Sequence, residues 1–332
     1  MRIGMTLFAD RDVASLARLA VAAEQAGFDD VWWPDHYMHR DIGAVLTACA
    51  LATERVRLGS AVSSPLLRHP AALASLYASL AEVAPGRIVA GVGPGGWELP
   101  VQLGIHESRP RSITRESALI LCEMLDGGAA TAPSEAGRFP VSGARLDFAP
   151  PQPVPLYLAA RGPRMMSLAG ELADGLITHS LSLPFVEHVI DRVRLGADAH
   201  RSAGDCSVAV WLEVCLHDDL DHARDVLRPR CRFLVGGEFD PQMIPLYGLD
   251  AGEVMRVRMA LRAGDPAVGE LITDDMVDAF SICGSVQRAA ERIESLHAAG
   301  VSELILSFGP SADPDEIASV GEKVLAFRDR VL

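Results

Sequence analysis

Eight times along this chain a short apolar run gives way to a longer segment with helical periodicity. The runs are "RIGMTLF" (2–8), "DVWW" (30–33), "VRLGSAV" (56–62), "RIVAGVG" (87–93), "LYLAA" (156–160), "GLITHS" (175–180), "SVAVWLEVCL" (207–216) and "ELILSF" (303–308). They are nearly continuous in aliphatic and β-branched residues, which is how parallel strands covered on both faces read. The helical segments are 12–26, 41–53, 70–83, 111–126, 163–173, 184–203, parts of 219–298, and 313–328. In the first of these Val13, Leu16, Ala17, Leu19 and Ala20 share a face, and Gly27 marks its end.

Eight βα units closing on themselves define an α/β fold of the TIM (β/α)8 barrel type, and 332 residues suffice for one. Two stretches exceed the minimal unit. Residues 127–155, rich in Gly and Pro, read as a hairpin inserted before strand 5. Residues from about 228 to 283 read as extra helices before strand 8. Neither is bounded by low-complexity linkers, so one domain over 1–332 is expected.

Composition narrows the function. The net charge is −14, Lys323 is the only lysine, and 49% of residues are hydrophobic. Nucleic acids and anionic membrane surfaces both call for clustered Lys and Arg, so neither is an expected partner. No stretch of about 18 uninterrupted apolar residues is present. Met1 runs straight into strand 1 with no signal-peptide pattern. The six cysteines lack CxxC spacing and sit mostly in apolar runs, consistent with reduced thiols in the cytoplasm.

In a TIM barrel the site lies at the C-terminal ends of the strands. The polar cluster "PDHYMHRD" follows strand 2 and puts Asp35 and His36 there. Other strand ends carry "SAVSSP" with Ala61, Val62 and Ser63, "GVGPGGWE" with Gly93, "AARGP" with Ala160, Arg161 and Gly162, and "THS" with His179 and Ser180. Small residues at such ends let backbone approach a ligand closely. "ARGP" at a helix start joins free N–H groups, a positive helix end and a guanidinium, a plausible phosphate site. Structural duties compete with each of these. Asp35 could pair with Arg40 or cap the next helix. Glu213, within strand 7, could meet an arginine or line the pocket, because a buried carboxylate needs one or the other. His36 and His39 have HxxH spacing, but no second His/Asp cluster matches them, so no metal is expected. No nucleophile elbow, Walker loop or nicotinamide fingerprint is present in the required context.

The stretches "EQAGFDDVWWPDHYMHRD", "RVRLGSAVSSPLLRHPAALAS", "GRIVAGVGPG", "GPRMMSLAGELADGLI" and "MVDAFSICGS" resemble the luciferase-like monooxygenase superfamily. Within it they resemble most the coenzyme F420-dependent methylenetetrahydromethanopterin reductases, in that family's order from residue 1 to about 310. The resemblance implies a homodimeric barrel holding a deazaflavin in its mouth, with a non-prolyl cis peptide at Ala61–Val62. It implies cofactor contacts from Asp35, His36, Ala61, Val62, Ser63, Gly93, Ala160, Arg161, Gly162, His179 and Ser180.

Two departures stand out. The methanopterin reductases carry a glutamate in strand 1 where this chain has Thr6, and an acid in the strand-4 loop where it has Gly96. Opening the pterin ring calls for a proton donor. Glu98 is a candidate replacement, which makes His36, Asp35 and Glu98 the catalytic candidates. Thr6, Trp97 and Glu213 are the candidate substrate pocket. The implied function is hydride transfer between F420 and a small molecule bearing a C=N, an activated C=C or an alcohol. The alternative is an FMN-dependent monooxygenase using O2.

Overall fold

Parallel strands cannot be joined by tight turns, so each crossover must carry its own helix. The computed structural model describes residues 1–36, 38–95, 102–105, 109–132, 137–197, 206–237 and 239–331. It alternates β1 (Arg2–Thr6), α1 (Val13–Ala26), β2 (Asp30–Trp33), α2 (Ile42–Ala52), β3 (Arg57–Ser60), α3 (Pro70–Val83), β4 (Ile88–Val92) and α4 (Pro110–Leu125). An antiparallel hairpin follows, β5 (Ala130–Ala132) and β6 (Val141–Ala144), where an insertion before the fifth barrel strand was expected. The alternation resumes with β7 (Leu156–Ala159), α5 (Pro163–Leu172), β8 (Gly175–His179), α6 (Leu183–Ala197) and β9 (Ser207–Leu216). After β9 come α7 (Leu220–Gly236), α8 (Ala251–Arg262) and α9 (Asp274–Phe280), then β10 (Ser281–Gly284), α10 (Val286–Ala298), β11 (Glu303–Ser307) and α11 (Pro314–Val331).

Eight of these strands close a parallel barrel in the order β9–β11–β1–β2–β3–β4–β7–β8 and back to β9. The insertion after β9 is not purely helical. Ser281–Gly284 form a short strand that pairs with Glu213–Leu216. Glu213 pairs with Ser307 on one side and Ser281 on the other, so β10 takes over the edge that β8 leaves at Trp211. Four residues between two helices are too few to show a period, which is why this strand reads as a helix boundary in the sequence.

Side chains alternate across a strand, so every second residue enters the barrel. Trp32, Val89, Tyr157, Ile177, Ala209, Trp211 and Ile305 fill its interior as one cluster. Glycines make the room. A Cβ on Gly59 would lie 2.5 Å from the Trp32 ring, and one on Gly175 would lie 2.3 Å from the Tyr157 ring. Trp33 faces the other way, into the larger core between strands and helices. The tryptophan inside the barrel is therefore Trp32.

Below this layer, at the N-terminal ends of the strands, four polar groups form one network. Arg57 donates to Asp30, its Nη2 lies 3.1 Å from Glu303, and the Tyr157 hydroxyl donates to Glu303. Burial pushes Asp30 up to about 6, against the pull of Arg57. Arg57→Met leaves two buried carboxyls without their cation and is expected to cost about 3–5 kcal/mol in denaturant unfolding. The triple variant Arg57→Met/Asp30→Asn/Glu303→Gln removes the stranded charges as well and is expected to recover most of that loss. A single variant as stable as the parent contradicts this role for the network.

Candidate active site

Each strand that fills the barrel with apolar groups ends above that layer in polar ones. Strand β2 runs into Pro34, Asp35 and His36. Neither structural duty that could occupy Asp35 falls to it. Asp41 caps α2 by accepting from the Gly43 and Ala44 amides at 2.9 and 3.2 Å, and also pairs with Arg68. Arg40 donates to the Asp10 carbonyl at 2.7 Å. The Asp35 carboxyl is half-buried, and burial raises it above the usual carboxylate range, opposed by the nearby Ser63 hydroxyl and Arg68.

Beside it the mouth is aromatic. The rings of His36 and His39 lie 4.5 Å apart at 31°, and both meet Phe8 edge-on, with centroids at 6.2 and 5.8 Å. Phe8 also reaches Trp211 at 6.5 Å, and Trp211 reaches His179 at 5.7 Å. Phe8 and Trp211 were not among the residues singled out from sequence. The signal was present: Trp211 stands two residues before Glu213, hence on the same face of β9.

The end of β3 is reshaped. After Ser60 the Ala61–Val62 peptide is cis, and Ser63 rejoins β4 through its amide to the Gly91 carbonyl at 2.9 Å. The Gly93 amide returns to the Ser63 carbonyl at 3.1 Å. A Cβ on Gly91 would fall 1.7 Å from the Ser60 carbonyl oxygen, and one on Gly93 2.7 Å from a Val62 methyl. Only glycine permits so close an approach.

Opposite the bulge stands His179, whose imidazole is pushed down to about 3 by burial and then by the Arg161 guanidinium. Ser180 follows with φ 114°, a region L-residues avoid unless their surroundings impose it. Buried Thr6 Oγ1, Ser63 Oγ and His179 Nδ1 make no hydrogen bond of ordinary geometry. In a protein interior such groups normally have partners, so three of them near one set of strand ends stand out as a candidate site.

Glu213 meets the first of the duties foreseen for it, that of pairing with an arginine. It forms an ion pair with Arg230 of α7, and it stands level with Ser307 and Thr6, since register pairs Glu213 with Ser307 and Ser307 with Thr6. Burial raises its carboxyl despite Arg230. Ala160 closes the end of β7 by donating to the Ile177 carbonyl at 2.9 Å. Gly162 caps α5 with open space where its Cβ would be. Arg161 does not reach across that space. Its guanidinium donates to the Leu234 carbonyl and lies 4.6 Å over the Phe239 ring. Trp97 and Glu98, like Gly96, lie outside the described residues. Among the described residues no three His, Cys, Asp or Glu side chains are grouped so as to hold a metal, and no helix is long and apolar enough to cross a membrane.

The closed parallel barrel agrees with what known proteins show. The model of the luciferase-like monooxygenase family matches residues 1–303, and this chain belongs to that family. It is 31% identical over 330 residues to 5,10-methylenetetrahydromethanopterin reductase of Methanolobus tindarius, covering 98% of this chain and 100% of that one. It is 35% identical over 225 residues to F420-dependent glucose-6-phosphate dehydrogenase of Nakamurella multipartita, covering 63% of this chain and 66% of that one. The structure of coenzyme F420-dependent tetrahydromethanopterin reductase from Methanopyrus kandleri superposes with a TM-score of 0.87 at 26% identity over 98% of each chain.

The depressed imidazole has a measurable consequence. An unfolded chain takes up a proton at residue 179 below about 6.5, while the folded one does so only near 3. His179 therefore contributes to a loss of stability as pH falls through that window, and not above it. His179→Gln is expected to flatten the fall in unfolding free energy between those values, and the His179 ring resonances are expected not to titrate between pH about 7 and 5. A normal His179 titration near 6.5 contradicts this environment.

Proposed function

We propose that this chain is an F420-dependent oxidoreductase that moves a hydride between the deazaflavin and a small organic substrate bearing a C=N, an activated C=C or an alcohol. The observation that carries this reading is the set of unsatisfied buried groups, Thr6, Ser63 and His179, converging on a mouth where Asp35 has no structural duty. The nature of the relatives supports the cofactor assignment.

The residues present fit such a cofactor. Asp35 and His36 would hold the ring's polar edge. Ala61, Val62, Ser63, Gly93 and Ala160 would line its face, where the glycines already let backbone come close. Gly162, Arg161, His179 and Ser180 would serve its polar tail, and for this Arg161 must leave the Leu234 carbonyl. When bound, the deazaflavin supplies a two-electron hydride donor or acceptor. The chain's own share is to orient, to exclude water and to move the accompanying proton. Phe8 and Trp211 wall the mouth against solvent. His36, half-buried and stacked on His39, is the group we assign to the proton.

The substrate is inferred to differ from a methylene-bridged pterin. Thr6 is a buried hydroxyl, not an acid, and Glu213 at the same level is neutralised by Arg230. O2 chemistry on FMN is the second reading, favoured by the broader family to which the chain belongs.

Asp35→Ala is expected to weaken F420 binding by at least about tenfold, about 1.4 kcal/mol, with little change in melting temperature. Methylenetetrahydromethanopterin is expected to turn over about 100-fold or more slowly than the best alcohol, imine or activated alkene in a panel, the usual worth of one general acid. Unchanged F420 affinity in Asp35→Ala contradicts the placement of the cofactor. Brisk reduction of the pterin contradicts the reassigned substrate.

A further inference from the structure

The cis bulge is flanked by two serines, and one side chain outside the barrel stands against both. Tyr77, fully buried on α3, places its Oη 2.6 Å from Ser60 Oγ. Ser60 Oγ donates to the Gly91 carbonyl at 2.7 Å and accepts from the Gly91 amide at 3.2 Å. With its one proton so used, Ser60 receives the phenol's proton, and Tyr77 also lies 3.4 Å from the Gly91 carbonyl. Beyond the cis peptide, the Ser63 amide donates to that same Gly91 carbonyl at 2.9 Å. Burial pushes the Tyr77 phenol up to about 12, so it remains a donor throughout the working range. One phenol thus stands behind both ends of the segment 60–63.

We propose that Tyr77 is a positioning residue of the cofactor site, whose hydroxyl clamps Ser60 against Gly91, the residue to which Ser63 is also bonded, and thereby fixes the Ala61–Val62 bulge. The part that concerns ligand binding rests on the F420 reading above. The clamp itself does not. An ordinary core role would need only the ring. A phenylalanine would fill that volume, leave no polar atom in an apolar niche, and keep both bonds between Ser60 and Gly91.

The test is Tyr77→Phe in the full chain, alongside Ser60→Ala and the double variant. Three readouts are taken: melting temperature, amide hydrogen exchange of the 59–65 segment in the absence of ligand, and F420 titration with the bound absorption spectrum. Tyr77→Phe is expected to speed exchange in 59–65 and to raise the F420 Kd, each by about fivefold, the worth of one hydrogen bond of about 1 kcal/mol. It is expected also to shift the bound spectrum, which a purely packing role leaves unmoved. Ser60→Ala is expected to reproduce the change in Kd, and the double variant to add little to either single one. Exchange in 59–65 unchanged from the parent overturns the clamp, whatever the cofactor. Faster exchange with F420 affinity and spectrum unaltered overturns its link to the cofactor site. A parent protein that binds no F420, but whose 59–65 segment still loosens in Tyr77→Phe, leaves the clamp standing and refutes the proposed function instead.

Discussion

A closed barrel must fill its own interior, and in this protein Trp32 does most of that. Its ring lies over Gly59, contacts Tyr157 with centroids 5.4 Å apart, and belongs to a cluster drawn from strands on every side. Everything above follows from where this filling stops. The last interior layer holds Trp211, with His179 level with it, beside Ala61 and Val62, and Thr6, Ser307 and Glu213 stand at the next inward-facing level. Below the filling the polar groups are sealed in and bond one another, as Asp30, Arg57, Tyr157 and Glu303 do, with Asp30 Oδ2 left over. Above it they face an opening, and several make no hydrogen bond within the chain. The same alternation therefore builds a stability layer at one end and a binding layer at the other.

Electrostatics in the mouth are local. The chain carries 30 basic against 44 acidic residues, so its overall field repels anions. Many arginines are engaged elsewhere: Arg224 and Arg288 hold Asp278 at 2.7 and 2.8 Å, and Arg328 holds Asp29 at 3.2 Å. Arg68 is likewise paired with Asp41, so attraction of an anionic group at the mouth would fall to Arg161. Arg161 is tied to the helical insertion through Leu234 and Phe239, so the insertion and the cofactor would compete for one guanidinium.

Much of this was legible in the residues. The eight barrel strands read within a residue or two of their ends because a strand buried on both faces is a continuous apolar run with turn signals at each end. The same property hid which tryptophan enters the barrel, since such a run has no polar alternation to give the face away. Asp35 and His36 could be placed because the C-terminal ends of barrel strands point to one mouth. What could not be read were partners distant in sequence: Arg230 for Glu213, Tyr77 for Ser60, Leu234 for Arg161. Those depend on how helices outside the barrel are seated. The four-residue strand 281–284 escaped because its pairing exists only where β8 ends and leaves an edge free.

The most direct measurement is a parallel equilibrium titration of the purified protein with F420 and with FMN, followed by fluorescence. Saturable binding of F420, with FMN weaker by about 100-fold or more, is the expected result. Tight binding of FMN with no binding of F420 would contradict the deazaflavin assignment and make oxygen chemistry the function of this mouth.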